Sequence, residues 1–294
     1  MPKTKILPYL EALFAVIAWG ASFIATKIAV GQVSPITVVW LRFSMGVVIL
    51  GIAVAARKQF ALPNKNEWAY FALLGFLGIT FHQWLQSNGL LTAQANTTAW
   101  IVATTPIFMA LLGWLVLKEG LNWIKNLGIA LATLGVLLVV TNGNLFSIID
   151  GRFGTIGDFL ILISAMNWAV FSVLSRRGLK THPAARMMFF VMVLGWIFSS
   201  ILFFSGKGLA EVVQLKTNGW LAVGFLGVFC SGFAYIAWYD ALQALSTAQT
   251  GVFLYIEPLV TAVVAAIILG EAITLASLVG GGIILFGVWL VNRN

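Results

Sequence analysis

Runs of roughly twenty apolar residues follow one another from Leu7 to Val291 with only short polar breaks between them, and about 20 residues is what a helix needs to cross a bilayer. The charge count agrees with a chain that lives in lipid. Of 294 residues, 61% are hydrophobic and 9% charged, where a soluble domain carries about 25% charged residues. Seventeen basic and nine acidic side chains cannot coat a water-exposed surface of this size. The sequence therefore predicts an all-α integral membrane protein. Ten spans take roughly 210 residues and leave about 84 for nine loops and two termini. That excludes a receptor ectodomain, an appended ATPase, a kinase or a DNA-binding module.

The breaks place spans near 7–30, 35–56, 67–88, 94–117, 121–141, 155–175, 183–205, 217–240, 247–269 and 273–292. The start, with Lys3 and Lys5 ahead of an apolar stretch, has the look of a signal peptide, but the apolar pattern continues past Lys27 and favours a retained first span. A net charge of +8 suggests a nucleic-acid partner only in a soluble protein; here basic residues set topology. With the N-terminus in the cytoplasm, inside segments hold Lys3, Lys5, Arg57, Lys58, Lys65, Lys118, Lys125, Arg176, Arg177, Lys180, Arg186 and Arg293. Outside segments hold Arg152, Lys207 and Lys216. This bias puts both termini in the cytoplasm and the turn-rich 141–154 loop outside. Cys230 is the single cysteine, so neither an internal disulfide nor a thiolate metal cluster is expected.

A second pattern overlies the first. Shifted by 152, residues 68–140 align with 220–292 without a gap, with about 15 identities in 73 positions. Pro106 meets Pro258, Glu119 meets Glu271, Gly128 meets Gly280 and Gly135 meets Gly287. At a slightly different offset Trp19 meets Trp168 and Lys27 meets Arg176. Leu, Val and Gly match by chance between apolar helices, but a Pro and a Glu thirteen residues apart in both halves do not arise that way. The chain divides into residues 1–147 and 148–294, each with five spans. An odd number makes the second half enter the membrane the other way up. Inverted repeats around a shared site are a common plan of secondary transporters.

These paired residues carry a resemblance. Trp19-Gly20 with Lys27, then Pro106 through Leu117-Lys118-Glu119 to Gly128 and Gly135, and again Trp168, Pro258, Leu269-Gly270-Glu271, Gly280 and Gly287, resemble the EamA repeat of the drug/metabolite transporter superfamily. Within it the aromatic-rich chain looks most like the YddG-type amino-acid exporters of bacterial inner membranes. The resemblance implies ten helices, a central cavity lined by spans 1, 3, 4, 6, 8 and 9, and spans 5 and 10 packed behind. One departure stands out: Arg42 of span 2 aligns with Phe190 of span 7.

Candidate transport residues follow from depth in the membrane. Pro106 and Pro258 each remove an N–H and free a carbonyl one turn earlier, near Val102 and Leu254, so they bend spans 4 and 9 and are candidate hinges. Glu257 sits beside Pro258 near the middle of span 9, where a carboxylate costs about 2.5–3.5 kcal/mol unless it faces an interior or an aqueous cavity. It would pair with a substrate ammonium, carry a proton, or pair with a buried base. His82 and Gln86 share one face of span 3, and Tyr235 and Tyr239 share one face of span 8; each pair is a candidate wall or ordinary packing. Trp19, Trp100, Trp168, Trp238 and Tyr255 lie within spans rather than at their ends, with Asn167 beside Trp168 as a hydrogen-bonding group. Trp68, Trp123 and Trp220, at span ends, read as interfacial anchors. Lys27 and Arg42 read as snorkelling to the headgroups. Glu119 and Glu271 read as caps of the following helices. The glycines of span 10 suit close packing.

No phosphate-cradling motif points to an ATP engine, no dense His/Glu cluster to a metal, and no nucleophile motif to an enzyme. The expectation is a secondary transporter exporting amino acids, aromatic and other neutral ones first, or related hydrophobic metabolites, across a bacterial inner membrane by alternating access. A multidrug or nucleotide-sugar carrier of the same fold is the alternative within transport, and an integral membrane lipid-processing enzyme the alternative outside it. Membrane lipids are the expected surroundings, and no cofactor, catalytic residue or nucleic acid is expected. The pattern leaves the oligomeric state open and is compatible with a monomer.

Overall fold

The computed structural model describes residues 6–117, 123–149, 154–245, 250 and 253–292, with backbone alone at 113, 116 and 117. Among the described residues the chain is helical and contains no strand. Ten rods run in order: α1 (Leu7–Val30), α2 (Pro35–Ala56), α3 (residues 65–89), α4 (residues 95–117), α5 (Trp123–Val140), α6 (Ile156–Leu179), α7 (Ala184–Ser205), α8 (Thr217–Ala244), α9 (Leu254–Leu269) and α10 (Leu275–Asn292). Eight of these are long and apolar enough to cross a membrane, which makes this a multi-pass membrane protein. The other two expected spans fall short for separate reasons. The second half of α3, His82–Gly89, is polar, and the described part of α9 is a shorter apolar helix.

Local chemistry starts the rods. Pro8 and Pro35 occupy the first turns of α1 and α2, where a missing N–H costs nothing. Asn64 with Glu67 and Thr155 with Asp158 form reciprocal capping boxes at the heads of α3 and α6. Four rods depart from regular α-geometry. α3 is π-helical over Phe76–Phe81 and α8 over Phe225–Phe233, and the two stretches overlap under the shift of 152. α4 breaks between Val102 and Thr105, and α9 begins with a 3-10 turn, Leu254–Ile256. Both breaks lie immediately before the matched prolines. The Val102 carbonyl freed by Pro106 accepts instead from the Thr105 hydroxyl at 2.7 Å.

Packing follows the same register. α1 lies against α8 and α9, as α6 lies against α3 and α4; α2 packs on α7 and α8, as α7 packs on α2 and α3. α5 and α10 form a pair at the back. Backbones touch there at two places. A Cβ on Gly128 would sit 2.6 Å from the Gly287 oxygen, and one on Gly135 2.6 Å from the Gly280 oxygen.

The ends of the rods are tied by charge. Lys27 Nζ donates to the Ala93 carbonyl at 2.7 Å and to Glu271 at 3.1 Å, so it binds protein rather than snorkelling. The Glu271 carboxylate also accepts the Ala95 and Asn96 amides, each at 3.0 Å. It therefore caps α4, not the helix that follows it, and joins α1, α4 and the end of α9 in one knot. Its register mate Glu119 lies outside the described residues. At the opposite ends of α2 and α8, Arg57 makes a two-toothed pair with Asp240 at 2.6 and 2.8 Å. Trp68, Trp123 and Trp220 are exposed at rod ends, as interfacial anchors would be.

Candidate functional site

The broken helices and the polar half of α3 converge on one interior cavity of about 80 Å³. Its walls come from α1, α2, α3, α4, α6, α8 and α9. That adds α2 to the six helices expected, through Arg42. Most of the lining is arranged in register pairs. Gln83 and Tyr235, Gln86 and Trp238, Val102 and Leu254, Ala103 and Tyr255, Thr105 and Glu257, Pro106 and Pro258, and Trp19 and Trp168 all border it, at matching positions of the two halves. Four of these seven pairs differ in chemistry. The first half supplies amide and hydroxyl groups where the second supplies aromatic rings and a carboxylate.

The aromatic wall is fixed by hydrogen bonds and ring contacts. Trp19 donates its indole N–H to the Cys230 carbonyl at 3.1 Å, and its ring stands 5.7 Å from Tyr235 and 5.3 Å from Trp238. Across the cavity Trp168 lies 4.7 Å from His82 and 4.8 Å from Phe171. His82 meets the Ser164 carbonyl through Nδ1 at 3.2 Å, which leaves its other ring edge toward the cavity wall. Gln86 lines the cavity one turn beyond His82.

Two ionisable groups reach the same space. The Glu257 side chain is buried, and no donor among the described residues lies within hydrogen-bonding distance of its carboxylate. Gly20 lets α1 and α9 approach here: the Glu257 backbone oxygen packs so close to Gly20 that a Cβ there would lie 2.8 Å away. Thr261 adds a tie, donating to the Gly20 oxygen at 2.7 Å. Arg42 is 3% exposed and does not snorkel. Its Nε donates to Ser231 at 2.9 Å, its Nη1 to the Gln83 side-chain oxygen at 2.9 Å, and its guanidinium lies 5.1 Å from the Phe43 ring centre.

Three residues expected at the site are elsewhere. Trp100 donates its indole N–H to Ser277 at 2.9 Å and lies flat against Gly281, so it joins α4 to α10 behind the cavity. Asn167 turns away to the Leu77 carbonyl at 2.7 Å, a second donor beside the His82 amide at the π-helical stretch of α3. Tyr239 is buried one turn below Tyr235, stacked at 6.1 Å and off the cavity wall. Trp19, His82, Gln86, Trp168, Tyr235, Glu257, Pro106 and Pro258 border it. Arg42 and Gln83 border it too and were not anticipated. Arg42 begins seven residues inside α2, about 10 Å from its end at 1.5 Å per residue. That depth is the signal in the sequence that could have told it from a snorkelling residue.

A cavity between lipid-embedded helices, lined by polar and aromatic side chains and flanked by two helix breaks, is the build of a membrane carrier. The chain belongs to the EamA-like transporter family, which matches residues 6–141 and again 155–293. It is 30% identical over 292 residues to an uncharacterized transporter of Archaeoglobus fulgidus, covering 99% of this chain and 98% of that one. It is 26% identical to a probable terminal-alkyne amino-acid exporter of Streptantibioticus cattleyicolor, over 96% of this chain and 92% of that one. A solved crystal structure shares the fold with a TM-score of 0.70 at 20% identity, covering 97% of this chain and 95% of the other.

Proposed function

We propose that this transporter exports amino acids, aromatic and other large neutral ones first, across a bacterial inner membrane by alternating access. The observation that carries the reading is the cavity itself: an unpartnered carboxylate, Glu257, set among Trp19, Trp168, Tyr235 and Trp238 in the layer where α4 and α9 are broken. A carboxylate offers an ammonium group its counter-charge, and ring faces offer both apolar contact and cation–π attraction. The amino-acid exporter among the relatives supports the same class.

At about 80 Å³ the cavity holds a few water molecules and falls short of the roughly 300–1,000 Å³ of pockets for drug-sized ligands. Binding therefore requires its walls to part. Helices hinged at Pro106 and Pro258, within two inverted five-helix repeats spanning 1–147 and 148–294, supply that movement. Both termini face the cytoplasm.

A counterflow screen of the twenty amino acids in proteoliposomes tests the reading. Exchange of unchanged labelled phenylalanine, tyrosine, tryptophan or leucine is the expected result, with Trp168→Ala reducing exchange of these more than of alanine or glycine. Absence of exchange for every amino acid would sink it, and appearance of a new chemical species would point to an enzyme instead.

A further inference from the structure

Arg42 and Glu257 present a base and an acid to one cavity and do not pair among the described residues. Among the described residues no carboxylate lies within 4.0 Å of the Arg42 guanidinium, and none of their donors reaches the Glu257 carboxylate. Burying either charge without a counter-charge is costly. A role as a structural clamp accounts for part of Arg42, since its bonds to Ser231 and Gln83 hold α2 to α8 and α3. It does not account for Nη2, which has no acceptor among the described residues, or for the missing anion. The clamp has a further effect. With Nε and Nη1 held at two points, the remaining edge of the guanidinium is fixed in direction, ready for a planar anion that accepts two N–H bonds.

Neither charge has a register mate. Arg42 aligns with Phe190 and Glu257 with Thr105, so neither is needed by the fold common to the two halves. An anion alone in the cavity would leave Glu257 unsatisfied, and an amine alone would leave Arg42 unsatisfied. One molecule with a carboxylate and an ammonium on the same carbon has a group for each. Its side chain then meets the rings of Trp19, Trp168 and Trp238.

We infer that Arg42 is the carboxylate anchor of this site and that, together with Glu257, it restricts transport to zwitterions bearing a free carboxylate and a free ammonium group. This rests on the reading of the chain as an amino-acid transporter. It adds that the amides and the deaminated acids of good substrates are refused.

The test is competition of labelled phenylalanine and labelled leucine counterflow by three unlabelled compounds each. For phenylalanine these are the amino acid, its amide and 3-phenylpropionate; for leucine, the amino acid, leucinamide and 4-methylpentanoate. In the wild type the amide and the deaminated acid should each compete roughly 10- to 100-fold more weakly than the amino acid, the range set by one lost hydrogen-bonded charge contact. In Arg42→Gln the amino acid should lose its advantage over the amide, so that the ratio collapses toward one. A clamp without a binding role would lower exchange of both and leave the ratio unchanged. If the variant does not fold, the wild-type series decides alone. An amide that competes as well as its amino acid overturns the assignment of Arg42 while leaving amino-acid transport standing. If neither phenylalanine nor leucine exchanges and the full screen is blank, the transport reading and the assignment fall together.

Discussion

Glu211, in the connection between α7 and α8, shows how much one loop carboxylate can organise. It accepts the Ser34 amide at 2.9 Å, the Ser34 hydroxyl at 2.5 Å and the Thr37 hydroxyl at 2.6 Å, and so caps α2 from across the structure. Partial burial pushes its pKa up, but these three bonds outweigh it and hold the carboxyl below its ordinary value. A group whose pKa is lower folded than unfolded stabilises the fold above the unfolded value, and the gain vanishes as pH falls through the folded one. Glu211→Gln should therefore cost about 1 kcal/mol at neutral pH, the scale of a lost cap. Melting curves of the detergent-solubilised protein should show the gap to wild type closing as pH falls from about 7 to about 3. A gap that stays constant with pH would mean that the charge contributes nothing. The same kind of long-range bond explains which residues were legible in the sequence. Glu257 stands out because a carboxylate at midmembrane depth is costly and its register mate, Thr105, is neutral. Arg42 does not, because its direction is set by Gln83 and Ser231, 41 and 189 residues away. Lys27 and Glu271 were misread for the same reason, their partners being 66 to 244 residues distant.

Among elements, α4 and α9 are the two whose shape follows directly from the sequence. Proline removes a donor at a fixed place, and both helices break one turn before it. The π-helical stretches of α3 and α8 had no comparable signal, since Phe76–Phe81 and Phe225–Phe233 are apolar and compatible with a plain α-helix. Their wide turns depend on neighbours, as when Asn167 reaches the Leu77 carbonyl. Pro258→Ala restores an N–H and allows α9 to straighten, which biases the two access states rather than the binding contacts. Turnover in proteoliposomes should fall by roughly tenfold, the effect of about 1.4 kcal/mol on a conformational step, with half-saturation changed much less. Equal turnover for wild type, Pro106→Ala and Pro258→Ala at matched protein levels would reduce both prolines to passive bends.

On the scale of the whole molecule, hydropathy marks the spans and loop charge gives an expected direction, but no pattern in either orders the helices around a centre. The register of 152 supplied part of that order, and the contacts of α1 with α9 and of α6 with α4 follow it. If five spans precede the 141–154 loop, that loop lies outside the cell. A cysteine at exposed Asn144, placed in a Cys230→Ala background, should then react with an impermeant thiol reagent in intact cells. Labelling only after lysis would reject the inverted arrangement. Cys230 is buried with its thiol on the Ala18 carbonyl, so its removal clears the background without opening the surface. The back pair, α5 and α10, has a geometric consequence of its own. One point of contact between two rods is a pivot, but Gly128 on Gly287 and Gly135 on Gly280 give two, about 10 Å apart along the axes at 1.5 Å per residue. Two points determine a line, so these helices keep one crossing angle and behave as a spine. On the proposal of alternating access, the rocking falls to the rods in front of them, which are also the ones with irregular turns.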